Sequence, residues 1–268
     1  MKMFNYDPPK PKKYRFDPKS NEPFKLSRSG LELYTNCPRC FYLDKRLGIA
    51  QPPGYPFTLN SAVDTLLKKE FDIHRAGKTA HPLMQKYGID AVPFENKNLN
   101  SWRENFVGIQ FLHRPSNLLI TGAVDDIWAD KDDNLMVVDY KATSTERSTD
   151  TTEEKWGSYF RQMEIYQWLL RQNGFKVSNT GYFVYCNGRK DKKAFDGKLE
   201  FDIEIVSHVG DGNWVEKTIV QAKKSLVSDE IPEPSESCDY CKYREAAEKV
   251  EIKSIDESNS TQKQGTLL

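Results

Sequence analysis

The sequence predicts a mixed α/β domain with helical additions at both ends. Three observations carry this. Apolar residues recur at helical spacing up to about residue 76 and then alternate with period two from Val107. One long helical stretch separates a first run of strands from a second. Two Cys-x-x-Cys pairs, Cys37/Cys40 and Cys238/Cys241, lie one in each helical flank. The order is helices, a strand run, a long helix and further strands, so a doubly wound sheet is not expected.

Taken in order, residues 1–25 read as an extended basic arm, because Pro8, Pro9, Pro11, Pro18 and Pro23 forbid a continuous helix. A helix is expected after Ser29, where Glu32 three positions later permits a capping box. Pro38 opens a second helix, ended by Gly48 and Pro52-Pro53-Gly54. Ala62, Val63, Leu66, Leu67, Phe71 and Ile73 give helical spacing over 60–76. Residues 80–105 read as helix or loop with Trp102 buried.

Val107 to His113 alternates as a strand, Asn117 sits in a turn, and Leu118 to Trp128 reads as one further strand. The polar Asp130–Asn134 run is a hairpin turn, and Leu135 to Tyr140 is the short apolar run of a central strand. Residues 144–152 are rich in Ser and Thr and read as a mobile loop. A helix over Glu153–Gln172 is stopped by Asn173-Gly174. Strands follow at Thr180–Tyr185 and Leu199–Ser207, then helices at Trp214–Leu226 and Tyr240–Val250. The expected organisation is an arm (1–25), one domain (26–250) and a disordered tail (251–268).

Lys plus Arg equals Asp plus Glu, 39 each, which excludes a generally polybasic nucleic-acid binder and leaves only a local basic groove. Arg39, Lys45, Arg46, Lys141 and Arg161 are candidates for it. No apolar run approaches the ~20 residues of a membrane helix. Met1 to Phe16 has no apolar segment, so the chain reads as unsecreted and cytoplasmic, and its paired cysteines as metal ligands rather than disulfides.

Three features fall on the strand run and the long helix: Gly122-x-x-Asp125, Asp139-x-Lys141 and Gln162-x-x-x-Tyr166. Residues i and i+2 of a strand share a face, so Asp139 and Lys141 project together. Asp125 on a neighbouring hairpin strand would approach Asp139. Two converging carboxylates at the end of an apolar strand are costly without a cation between them. Mg²⁺ or Mn²⁺ suits such oxygen donors. Gln162 and Tyr166 share one helix face, suited to a phosphate contact and a stacking ring on single-stranded nucleic acid. Each feature alone has a bland reading: a surface ion pair, a solvated strand end at Asp125-Asp126, an ordinary helix face.

Their order resembles the RecB branch of the PD-(D/E)XK nuclease superfamily. Tyr34-x-x-Cys37-Pro38-Arg39 followed by Phe41-Tyr42-Leu43 resembles the N-terminal segment of the same branch, found in CRISPR-adaptation exonucleases and AddB-type nuclease domains. The resemblance implies a restriction-endonuclease-like core with a mixed sheet flanked by helices. It implies a metal-dependent exonuclease acting on DNA ends or single strands, in recombination, repair or CRISPR adaptation. Asp125, Asp139 and the carbonyl of Tyr140 would be metal ligands and Lys141 the catalytic lysine, with Gln162 and Tyr166 near the DNA. The branch usually places a His in an early helix. Here Asn60-Ser-Ala-Val-Asp64 puts Asp64 at that position, a further candidate ligand for a hard cation. A DNA-binding scaffold that keeps the fold without cleavage is the alternative.

Relatives with an iron–sulfur cluster use one early cysteine and three late ones. Cys37 matches the early one and Cys238 and Cys241 two late ones. Glu245-Ala246-Ala247 occupies the region of the last, and Cys40 would complete a two-plus-two set. Four thiolates suit [4Fe-4S] or Zn²⁺, and the resemblance favours the cluster. Cys186, in an apolar strand, reads as a core thiol. The closing Gln264-Gly-Thr-Leu267-Leu268 resembles a sliding-clamp-binding peptide.

Overall fold

The computed structural model describes residues 14–54, 58–145 and 153–264; the side chains of 153–155 and 254–264 lie outside the description. The Pro-rich stretch to residue 13, most of the 144–152 loop and the terminal peptide, apart from the backbone of Gln264, fall outside it too. In chain order the elements are β1 (Phe24–Ser27), α1 (Arg28–Asn36), α2 (Pro38–Lys45), α3 (Thr58–Gly77), α4 (Pro82–Lys86), β2 (Val92–Pro93), α5 (Leu99–Arg103), β3 (Ile109–His113), β4 (Leu118–Gly122), β5 (Asp126–Ala129), β6 (Leu135–Thr143), α6 (Glu153–Gln172), β7 (Thr180–Gly188), β8 (Phe201–Val209), α7 (Asn213–Val227) and α8 (Asp239–Gln264). The fold is mixed α/β, as the sequence order predicts. Among the described residues, no helix is long and apolar enough to cross a membrane.

Two compact units share the chain. The larger comprises 21–32 and 54–221, and the smaller 1–20, 33–53 and 222–268. The larger holds both sheets. The first runs β1-β4-β3, with β1 parallel and β3 antiparallel to β4. The second runs β2-β5-β6-β7-β8, with β6 and β7 parallel and the other pairs antiparallel. Parallel neighbours need a crossover, and α6 supplies the one between β6 and β7. Trp128, Met136, Val138, Tyr140, Val184 and Cys186 pack with Leu67 and Phe71 of α3 in one core cluster.

Turn chemistry sets several boundaries. Asn117 takes a left-handed φ of 53° between β3 and β4. In the β5–β6 hairpin Asp133 has φ 57°, and Asp130 Oδ1 accepts from the N–H groups of Asp132 and Asn134, both at 2.9 Å. Gly174, at φ 85°, follows the end of α6.

Four expectations are corrected. Leu118 to Trp128 is two strands in different sheets, because the chain leaves the first sheet after Gly122 and enters the second at Asp126. Part of the supposed arm is β1, paired in parallel with β4. The cap of α1 is Ser27, whose Oγ accepts from Gly30 N at 3.2 Å, rather than Ser29. The last helix continues past Val250 to Gln264, where a disordered tail was expected.

Candidate functional site

The candidate site lies in the larger unit and begins with β6. Met136, Val138 and Tyr140 join the core cluster, so the period-two pleat turns Asp139 and Lys141 to the other face. Asp139 is fully buried. Its Oδ1 accepts from Gln162 Nε2 at 2.8 Å, and its Oδ2 forms an ion pair with Lys141 Nζ but no aligned hydrogen bond. Burial pushes the Asp139 carboxyl up to about 7; Lys141 pulls the other way, and the charge of Asp125 adds to the rise. Lys141 Nζ also donates to Gln162 Oε1 at 3.3 Å and stands 4.5 Å from the centre of the Tyr159 ring.

Asp125 lies in the connection between β4 and β5 rather than within a strand. Its Oδ2 accepts from the backbone N–H of Tyr140 at 2.9 Å, which fixes it beside β6. Its Oδ1 faces Lys68 Nζ at 3.4 Å, and the same ammonium reaches Asp64 Oδ2 at 2.8 Å. Lys68 thus bridges a carboxylate of its own helix, four residues back, to one from the sheet junction. Burial and the charge of Asp125 both raise the Asp64 carboxyl. Asp64 and Asp125 retain 31% and 24% side-chain exposure, so solvent reaches the cluster from their side.

Asp126 is not a solvated strand end. It is fully buried. Its Oδ1 accepts from Arg75, from Arg103 at 3.0 Å and from Ile127 N at 2.8 Å, and its Oδ2 accepts from Tyr140 Oη at 2.8 Å. Asp72 binds both arginines from the outer side. Arg103 Nε donates to the carbonyl of Asp125 at 3.0 Å, so this network anchors the neighbouring carboxylate through its backbone.

Gln162 and Tyr166 do share a face of α6, but that face is buried: Tyr166 is 3% exposed. A ring so covered cannot stack on a base, which corrects the expected stacking role. Instead, Tyr166 Oη takes a 3.0 Å bond from Gln162 Nε2, which also bonds Asp139. Gly122 accommodates this ring: a Cβ there would stand 2.7 Å from Tyr166 Cε1. The glycine of Gly122-x-x-Asp125 is therefore a packing requirement.

Sequence reasoning missed Lys68, Arg103 and Arg28, whose charge acts on Asp139 and Tyr166. Helical spacing of four between Asp64 and Lys68 was the one available signal. The candidate groove cations are ion-paired: Arg39 with Glu233 and Glu245, Lys45 with Asp44, Arg46 with Asp229, Arg161 with Glu32 and Lys141 with Asp139. His81 is buried against Phe71 and bonded to Glu70.

The smaller unit carries the second cluster. Cys37 precedes α2 and Cys40 lies in its first turn; Cys238 and Cys241 have the same relation to α8. Sγ–Sγ distances are 3.8 Å for Cys37–Cys241 and 3.6 Å for Cys40–Cys238 and Cys40–Cys241. Among the described residues this is the one group of three or more metal-ligating side chains with ligand atoms all within 4.8 Å of one another. Cys186 stands apart in the sheet core, its thiol pushed up to about 11 by burial.

A sequence profile of the PD-(D/E)XK nuclease superfamily matches residues 61–246. The match covers more than half the chain, and the protein belongs to that superfamily. Its members are nucleases that use divalent metals. No curated protein matches this sequence. A solved structure described as "Crystal structure of SSO0001" is similar at 16% identity over 78% of this chain and 77% of that one, with a TM-score of 0.39.

Proposed function

We propose that this protein is a divalent-metal-dependent deoxyribonuclease whose site is built from Asp64, Asp125, Asp139 and Lys141. The observation that carries this reading is Asp139: a fully buried carboxyl with one oxygen lacking an aligned hydrogen bond, held beside a lysine and a second carboxylate. Such a group is expensive to keep in a fold unless it serves chemistry.

Oxygen donors of this kind suit a hard cation. Asp125, Asp139 and the backbone carbonyl of Tyr140 would hold Mg²⁺ or Mn²⁺, with Asp64 as a further oxygen donor in place of the family's histidine. When bound, the ion supplies Lewis-acid stabilisation of phosphate charge and lowers the pKa of a coordinated water. Lys141, short of full burial and paired with Asp139, would supply a positive charge to the scissile phosphate as charge develops on it. Gln162 orients the carboxylate by bonding Asp139 Oδ1, and Tyr166 holds Gln162 in turn. Lys68 balances the charge of Asp64 and Asp125.

The family resemblance favours exonucleolytic action on DNA ends or single strands, in recombination, repair or CRISPR adaptation. End-labelled single- and double-stranded DNA, incubated with Mg²⁺ or Mn²⁺, tests this. Wild type is expected to give a ladder of progressively shortened products. Lys141→Ala is expected to lower the rate by about 100-fold or more with the fold intact. Equal rates for the two proteins would sink the assignment, and cleavage of circular single strands would replace an exonuclease by an endonuclease.

A further inference from the structure

The four clustered cysteines admit two metal centres of different size, and the sulfur spacing discriminates between them. Thiolates bound to one tetrahedral zinc lie ~2.3 Å from it and therefore about 3.8 Å from one another. In a four-iron cube each thiolate binds a different iron, which sets the sulfurs on the order of 6 Å apart. A two-iron cluster places its two thiolate pairs on opposite irons, again spreading the set. The distances here are 3.6, 3.6 and 3.8 Å, and every remaining pair lies within 4.8 Å.

The backbone supports a single ion as well. The two Cys-x-x-Cys segments repeat one local structure. Phe41 N donates to Cys37 O and Lys242 N to Cys238 O, both at 3.0 Å, so each pair opens a helix in the same way. Each helix thus presents its positive N-terminal end to its own pair of thiolates. That offsets the net charge of −2 that four thiolates and one divalent ion carry together. All four cysteines are buried, at 1–9% exposure, and four thiolates complete the tetrahedral set of a single zinc ion. Closed four-thiolate sites are structural.

We propose that Cys37, Cys40, Cys238 and Cys241 hold one zinc ion, and not the iron–sulfur cluster that the family resemblance implied. The ion joins two stretches of the smaller unit that are distant in sequence: Cys40 and Cys238 are 198 positions apart. Its role is to clasp that unit, independently of the carboxylate site.

The full chain, purified without oxygen from cells supplied with both iron and zinc, decides this by elemental and acid-labile sulfide analysis. The expected result is one zinc per chain, no sulfide and no visible absorption. Iron accompanied by sulfide, a single iron without sulfide, or four titratable thiols and no metal would each overturn the proposal. Replacement by Co²⁺ should give the intense visible bands of a tetrahedral thiolate site. Those bands should vanish in Cys241→Ser and persist in Cys186→Ala. Should Cys241→Ser fail to fold, X-ray absorption of the wild type still decides. A single sulfur shell around zinc supports the proposal, and a neighbouring metal scatterer refutes it.

Discussion

The carboxylate cluster and the cysteine cluster solve the same problem, gathering negative donors, in opposite ways. The cysteines come as two copies of one short local motif, each opening a helix, and are closed to solvent. The carboxylates come from three unlike places: a helix (Asp64), a junction between sheets (Asp125) and a central strand (Asp139). Two lysines stand among them, and Asp64 and Asp125 stay partly exposed. Buried soft donors suit permanent structural binding. Hard donors with an open side suit an exchangeable ion that must meet substrate. On the two assignments proposed above, donor chemistry and exposure, more than proximity in sequence, separate a clasp from a reactive centre.

The strongest way to break this comparison is to remove each ion in turn. A mild chelator should stop cleavage by about 1,000-fold or more, reversibly on adding Mg²⁺, and leave the cysteine-bound metal in place. Stripping that metal should cost the smaller unit on the order of 5 kcal/mol or more, because binding energy there is folding energy. Hydrogen exchange would report the loss as faster exchange in residues 33–53 and 222–253, with β5–β7 still protected. Equal ease of removal from both sites would dissolve the distinction.

A sharper probe is Asp126, which serves the carboxylate site without belonging to it. Asp126→Ala leaves Arg75 and Arg103 facing a buried void, with the partly exposed Asp72 as their remaining shared carboxylate. The expected loss is about 3–5 kcal/mol in denaturant unfolding, since breaking a buried ion pair on one side leaves an uncompensated charge. A change under about 1 kcal/mol would mean that Asp72 suffices to hold both arginines.

How much of this was legible beforehand follows the same division. The cysteine pairs were plain, because their spacing is the signal. Asp139-x-Lys141 after an apolar strand was legible, because period two puts both residues on one face. The long helix α6 and its Asn173-Gly174 stop were read from local chemistry. The break between β4 and β5 was not, because alternation continues through Gly122 and only tertiary pairing shows the change of sheet. β1 was hidden among prolines, and its pairing with β4 is non-local. Asp126 looked like a surface residue because its partners, Arg75 and Arg103, come from two other elements. Tyr166 was legible in position but not in role, since burial is invisible to a four-residue spacing.

Gly122 offers a smaller effect with a more specific signature. Gly122→Ala would set a methyl 2.7 Å from Tyr166 Cε1 and 3.0 Å from Leu169 Cδ1. Relief requires Tyr166 to move, and with it Gln162. Overpacking of this kind costs about 1–3 kcal/mol. Because the shift passes through Gln162 to Asp139, the divalent-ion affinity should weaken alongside stability. In Gly181→Ala, which crowds Met163 instead, stability alone should fall. Identical metal affinities for the two variants would show that Tyr166 does not position Asp139.

The mildest test is pH, and its sign is set by Asp139. Its folded value of about 7 stands above the ~3.9 of an unfolded aspartate. The metal-free fold therefore binds this proton more tightly than the unfolded chain does. The stability it contributes is full below about pH 4 and is lost as pH rises through 7. Divalent-ion binding runs the other way, because the ion needs the carboxylate. Its affinity should climb by up to about tenfold per unit below pH 7 and level off above. Mg²⁺ titrations of cleavage from pH 5.5 to 8.5 measure this. An affinity independent of pH would mean that Asp139 is already ionised throughout, held so by Lys141. The cysteine-bound metal content, read on the same samples, should change far less over that range, because the binding free energy of a structural zinc site is on the order of 10 kcal/mol or more at pH 7 and outweighs protonation of its thiolates.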